Sequence, residues 1–279
     1  MDSFQPRSGI GSLFDWALDL CGHETFTVQF VATVVIVNLG YIIGNLIYVT
    51  LDYFDPAWVQ KYRVQVGESK KVTWNKWKHA LTLIAVNMLV VLPAMTYAYY
   101  RIGRIDISRE LPSFGTGLLH VFFFLFADDI TFYYAHRFIL HHPRLYKHIH
   151  KIHHDFQAPF SITAVYAHPL EHVLSLVHVF IGPAILGSHI MVVWIWLTVA
   201  HWASITQHSG YHLPFFASPE HHDWHHKVFN ENFGALKFLD MLHGTSKQFA
   251  ATGRNHRHTM LLSLKPAREV YPIKKGKDD

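Results

Sequence analysis

Between His136 and His154 the sequence HRFILHHPRLYKHIHKIHH places seven imidazoles in nineteen residues. A second stretch, HSGYH and then HHDWHH, runs from His208 to His226, and 18 of the 24 histidines fall between His136 and His226. Neutral imidazole is a good transition-metal ligand, and at about 3.6 residues per helical turn positions i, i+3 and i+4 share a face. His150, His153 and His154 thus form one trio, His222, His225 and His226 a second, and two such trios can face one centre. His136 and His141 lie about 140° apart on an ideal helix, so they converge only if the chain loosens ahead of Pro143. His208 and His212 have i, i+4 spacing where an apolar segment ends. Together these imidazoles suffice for two metals at about five ligands each, with positions left for water or oxygen. His142 points elsewhere and reads as surface or support.

A metal-bound imidazole usually donates its other ring N–H to a carboxylate or carbonyl. Asp129 lies two turns before His136 on one face, Asp155 and Asp223 adjoin trio members, and Glu171 precedes His172, so these four are candidate supports. His168-Pro-Leu-Glu171-His172 also matches H-x-x-E-H, an inverted zinc-peptidase pattern. That reading uses two histidines and leaves the other groups unexplained, so it ranks lower. No catalytic residue separate from the metal ligands is required.

The elements that hold these residues are apolar. Half the residues are hydrophobic and 16% are charged, the composition of an integral membrane protein. A bilayer core of about 30 Å takes about 20 helical residues. Thr27 to Leu51, Ala80 to Tyr100 (kinked at Pro93), and Gly117 to Ala135 read as spans; Val173 to Gly187 and His189 to Ser204 read as a hairpin of two short ones. The expected fold is all-α, with four to five transmembrane or re-entrant helices and a cytoplasmic histidine-rich di-metal cap. We divide it into membrane-anchoring helices (1–116), a catalytic domain (117–250) and a tail (251–279).

The hairpin returns the chain to the face it left, so both histidine blocks share one side of the membrane. That side carries 20 Lys and Arg against 4 on the other, and short cytoplasmic loops are enriched in these residues. The histidines are therefore expected in the cytoplasm. Lys275 and Lys277 have the K-x-K-x-x spacing of an endoplasmic-reticulum retrieval signal. Residues 1 to 26 do not read as a signal peptide, Cys21 has no partner for a disulfide, and a net charge of +4 without a basic stripe argues against nucleic acid. Metal transport would need ionisable residues at mid-membrane, where the first two spans offer Asn38, Asn45 and Asn87. The aromatic run from Phe122 to Tyr134 faces lipid or lines an apolar substrate channel.

HRFILHH, HKIHHDFQAP, YAHPLEH, HSGYHLP and HHDWHH, between about Asp128 and Thr245, resemble the membrane-bound fatty acid hydroxylase superfamily, which includes sterol desaturases and C-4 methylsterol oxidases. The resemblance implies a di-iron, O2-dependent monooxygenase of the endoplasmic reticulum acting on a sterol or fatty-acyl lipid. Electrons would come from NAD(P)H through a cytochrome b5-type donor and its reductase. It places ligands at His136, His141, His150, His153, His154, His208, His212, His222, His225 and His226. Overall likeness favours a sterol methyl group as substrate; the four residues enclosed by His136 and His141 lean toward acyl hydroxylases. The loop from Leu213 to Glu220 is shorter than in typical methylsterol oxidases.

Overall fold

Uncharged apolar runs of this length satisfy every backbone hydrogen bond internally when helical, and helices dominate the chain. The computed structural model describes residues 9–65 and 73–273. Lys70, Lys71, Lys275 and Lys277 lie outside the described residues. Among the described residues there are helices and two isolated β-bridges and no strand. Five helical segments are long and apolar enough to cross a membrane: Thr27–Phe54, Trp74–Ile102, Phe114–Leu140, Pro169–Leu186 and Ile190–Gln207. Large apolar side chains such as Val35, Leu39, Ile42, Leu46, Leu119 and Phe126 face outward from them.

The fourth span begins four residues before the expected Val173, because Pro169 starts the helix and it takes in Glu171 and His172. Hydropathy alone stops at those two polar residues, whereas both are buried against the rest of the bundle. Gly182 is a close contact: a Cβ there would lie 2.9 Å from Phe124 Cα of the third span, so only glycine allows this approach. The loop to the fifth span is short, with Gly187 in the left-handed region at φ 58°.

In the second span the distortion sits just ahead of Pro93, as a π-helical turn at Asn87–Val91. Such a turn re-satisfies carbonyls that a proline leaves without a donor. It also points Asn87 inward, where its amide donates to the carbonyls of Val165 and Ala167 at 2.9 Å each. Ahead of the first span, the helix Ile10–Leu20 buries Phe14 and Leu18 and leaves Leu13 and Trp16 exposed. Arg109 ties it down through Asp15 and Asp19 at 3.1 and 2.6 Å.

Of the aromatic run, Phe122, Phe123, Phe126 and Tyr134 are exposed on the outside of the bundle, whereas Phe124 and Tyr133 are fully buried. The site's residues all belong to one end of the bundle: the third span's last turn, the 3-10 turn His150–Asp155, the fifth span's end, and the helix Glu220–Val228.

Candidate metal centre

His136 and His141 converge because the third span ends in a π-helical turn, His136–Leu140, closed by a bond from His141 N to His136 O at 2.9 Å. An i→i+5 turn brings residues five apart onto nearly one face, and the two rings lie 4.9 Å apart. The expected loosening ahead of Pro143 thus has a definite form. His142 caps the following turn, accepting from Arg144 N at 3.3 Å.

The ligand nitrogens collect into two groups, each with all its atoms within 4.8 Å of one another: His136, His141, His150, His154 and His225; and His153, His208, His222 and His226. Each trio is therefore divided, contrary to two trios facing a single centre. His150 and His154 serve the first group and His153 the second; His222 and His226 serve the second and His225 the first. The i+3 ring in each trio lies roughly parallel to the first, at 23° and 19°, and points alongside it instead of converging. The i+4 ring is turned edge-on to it at 4.5 and 4.7 Å.

His212 is in neither group. The fifth span ends at Gln207, Gly210 takes φ 72°, and Arg63 and Tyr211 form an antiparallel bridge. The i, i+4 relation that the spacing suggested is lost at that turn. His212 instead directs Nε2 to the Thr259 carbonyl at 2.9 Å and Nδ1 toward Glu220, 3.8 Å away. His168 and His172 also stay outside both groups: His168 caps the fourth span, accepting from Leu170 N.

Six of these nine imidazoles have their second nitrogen held. His136 Nδ1 donates to the Phe233 carbonyl (2.7 Å), His153 to Tyr166 (3.0 Å), His208 to Ser204 (2.8 Å), His225 to Glu231 (2.6 Å) and His226 to Phe156 (3.2 Å). His150 Nδ1 donates to the Glu171 carboxylate at 2.8 Å. A neutral imidazole that donates from Nδ1 carries a bare lone pair on Nε2. Yet the Nε2 atoms of His153 and His208 lie 3.2 Å apart, and those of His136 and His150 2.9 Å apart. Two lone pairs cannot hydrogen-bond. They sit this close when both aim at one cation, since nitrogens about 2.1 Å from an ion and at right angles around it are about 3 Å apart. His141 Nε2, buried without a hydrogen-bond partner, has the same need. The residues fit a pair of metal ions.

Burial, and then repulsion from neighbouring imidazoles, holds His150, His154, His222, His225 and His226 well below the usual histidine pKa. Burial likewise lowers His141 and His153 to about 4 and His208 to about 3. These rings are neutral at pH 7, the form that binds metal.

Of the four candidate supporting carboxylates, Glu171 alone touches a ring of the two groups. Asp129 accepts from Leu236 N at 2.7 Å and so anchors the loop whose Phe233 carbonyl holds His136. Asp155 accepts from Tyr166 Oη at 2.9 Å, and it is the Tyr166 carbonyl that holds His153. Asp223 accepts from Gln65 at 2.9 Å; burial raises its pKa to about 7. Asp240, which no histidine spacing marks in the sequence, receives the amides of Phe233 and Gly234 at 2.8 Å each. The five carbonyls that hold these rings have no sequence signal, because every residue has a carbonyl.

A family model described as Fatty acid hydroxylase matches residues 121–245. Methylsterol monooxygenase 1 of Gallus gallus is 31% identical over 269 residues, covering 90% of this chain and 88% of that protein. The chain belongs to the fatty acid hydroxylase family. Among other family relatives, Fatty acid hydroxylase domain-containing protein 2 of Homo sapiens is 38% identical over 221 residues, or 78% of this chain and 66% of that protein. Fatty acid hydroxylase ahd1 of Mycosarcoma maydis is 35% identical over 245 residues, 86% of this chain and 62% of that protein. The chain thus spans somewhat less than two thirds of these two relatives. No solved structure matches. With its five helical segments long and apolar enough to cross a membrane, this fatty acid hydroxylase family protein has the build of a multi-pass membrane protein.

Proposed function

We propose that this chain is a di-iron, O2-dependent lipid monooxygenase that oxidises the C-4 methyl group of a sterol. The observation that carries the reading is the paired set of neutral imidazoles whose bare Nε2 atoms converge as two groups. His136, His141, His150, His154 and His225 would hold one iron, and His153, His208, His222 and His226 the other. His212, a ligand by resemblance, lies outside the groups in this geometry. Iron bound there supplies the redox chemistry that protein side chains lack, turning C–H, O2, two electrons and two protons into C–OH and water. The chain's own part is to fix the rings. Carbonyls of Phe233, Tyr166, Ser204, Glu231 and Phe156 set the tautomers, as does Glu171, and burial keeps the rings unprotonated.

Similarity to the methylsterol monooxygenases, over most of the length of both chains, supports a sterol substrate. A second reading, a fatty-acyl hydroxylase or desaturase on the same scaffold, is supported by the His136–His141 spacing and the π turn it requires. In either case the two electrons come from NAD(P)H by way of a cytochrome b5-type donor and its reductase. The charge asymmetry supports a location in the endoplasmic reticulum membrane with the histidines facing the cytoplasm. Within the chain, 117–250 would be the catalytic domain, between anchoring helices and a cytoplasmic tail.

Sterol and fatty-acid profiling of cells lacking the protein tests this, alongside iron analysis of the purified chain. A rise in a 4-methylated sterol with unchanged 2-hydroxylated fatty acids is expected. Loss of hydroxylated acyl chains with sterols untouched would move the assignment to the second reading.

A further inference from the structure

Below the ligands, inside the bundle, His178 of the fourth span faces Asp128 of the third, with Nδ1 2.6 Å from Oδ1. The pair is mostly buried, with side chains 12% and 13% exposed. An ionisable pair inside a membrane bundle is costly and marks a working position more often than a structural one. Holding the two helices together would use the Nδ1 contact alone. The other nitrogen, Nε2, is also buried and has no hydrogen-bond partner. Since Nδ1–H is given to the carboxylate, Nε2 is left as a lone-pair acceptor, and a buried acceptor without a donor requires an explanation.

The position of that acceptor narrows its partner. Phe132 lies between His178 and the ligand His136, with ring separations of 5.0 and 4.8 Å, so the two imidazoles are within about 10 Å of each other. Asp128, Phe132 and His136 form one i, i+4, i+8 stripe down the third span. On the facing helix, Glu171 and His178 are seven residues and two turns apart on one side, Glu171 touching the ligand His150. The acceptor thus lies on the same seam as the first imidazole group, deeper in the bundle. With the two rings within about 10 Å, a short arm of substrate bound at Nε2 would reach the neighbourhood of His136.

We propose that the Asp128–His178 pair is a recognition site for the hydroxyl group of the lipid substrate, with His178 Nε2 accepting its O–H. It takes an alcohol whose oxidised carbon is a few bonds from the hydroxyl. The proposal rests on the monooxygenase reading for the identity of that carbon, but not for binding. In an acyl hydroxylase the same acceptor would have no adjacent alcohol to meet. His178 touches no ligand ring directly, so its removal should leave the metals in place.

The test uses the full chain, loaded with iron and held in lipid nanodiscs without oxygen. Equilibrium binding is measured for a 4-methylated sterol with a free 3-hydroxyl and for its 3-methyl ether, which keeps the oxygen and loses the donor. The wild-type protein should prefer the alcohol by about tenfold, the worth of one buried hydrogen bond. His178→Phe should bring the two within about twofold while iron per protein stays unchanged, and Asp128→Asn should weaken the preference by less. Because Asn retains an acceptor for Nδ1–H, the second variant is read if the first fails to fold. Equal binding of alcohol and ether by the wild type, or a preference that survives His178→Phe, overturns the proposal. Admitting oxygen and reductant then separates the two claims. A bound alcohol that is not oxidised supports the recognition site and removes the sterol oxidation; an ether bound and oxidised as well as the alcohol does the reverse.

Discussion

The five-imidazole and four-imidazole groups are assembled alike: each takes an i, i+4 pair from one trio and the i+3 member of the other. They differ at the ends of the spans that feed them. The third span continues past His136 through a π turn and delivers His141; the fifth span stops at Gln207, turns at Gly210, and carries His212 away. The same kind of residue at nearly the same spacing joins an imidazole group in one place and becomes a buried support in the other. Backbone conformation between the two histidines makes the difference. It also leaves the smaller group with four imidazoles against five, and gives the larger group its one incompletely buried member, His141.

The divided trios give the largest expected effects. His153→Ala takes the smaller group to three ligands, and His225→Ala takes the larger to four. Both should lower activity by more than about 100-fold, since changes merely behind a ligand cost about 10- to 100-fold. The metal-to-protein ratio sharpens the comparison: His153→Ala should lose about half the metal, His225→Ala less. Equal losses from the two variants would mean that the trios act on a single centre after all.

His141→Ala and His212→Ala come next, because they compare the two span ends directly. Loss of His141 should weaken binding in the larger group by about 100-fold, the upper end of the range for changes merely behind a ligand. His212→Ala should leave the metal ratio intact and cost about 1–3 kcal/mol of stability from the Thr259 carbonyl it unpairs. Metal analysis together with thermal unfolding decides it; a metal loss on His212→Ala would return that residue to the ligands.

These two positions also show how much was legible. The spans, their hairpin and nine of the residues that gather could be read from apolar length and imidazole spacing, because those signals are local. The partition into two groups could not, since helical spacing tells which residues share a face and is silent on which way neighbouring rings turn. The turn at Gly210 was visible as a glycine, but its consequence depended on Tyr211 finding Arg63 across the molecule. Carboxylates were the expected partners of the rings because they are scarce and charged. Backbone carbonyls took most of that role, and the carboxylates hold the loops that carry them.

Glu171 is the exception, and Glu171→Gln measures what a direct carboxylate contributes. Gln still offers an acceptor to His150 Nδ1, so activity should fall by only about tenfold, the low end for such partners. An unchanged rate would make the carboxylate no better than the carbonyls behind the other rings.

Acid should act on both groups in the metal-free protein. His141 and His153 titrate near 4 and His208 near 3 when folded, against about 6.5 unfolded. The unfolded chain therefore binds more protons below about pH 6.5. Stability is fully present above that pH and is lost as pH falls toward 4, by about 1.4 kcal/mol per pH unit for each net proton. Bound metal should shift the loss to lower pH, measured by thermal unfolding with and without iron. A flat profile in the metal-free protein would show that the rings are already hydrated.

The smallest effect is expected at Asp155, and it tests whether indirect support matters. Its carboxylate accepts from Tyr166 Oη, and the Tyr166 carbonyl, not its hydroxyl, holds His153. Asn87 holds the same turn from the other side through the carbonyls of Val165 and Ala167. The turn thus has two anchors, and Asp155→Asn keeps an oxygen that can accept from the tyrosine. Activity should change by less than about twofold, within the few tenths of a kcal/mol typical of an exposed polar substitution. Asn87→Ala removes the anchor that is fully buried and bonds two carbonyls, so it should cost more, through metal loss from the four-imidazole group in particular. If Asp155→Asn were the more damaging of the two, His153 would be positioned from the solvent side of its turn instead of from the second span.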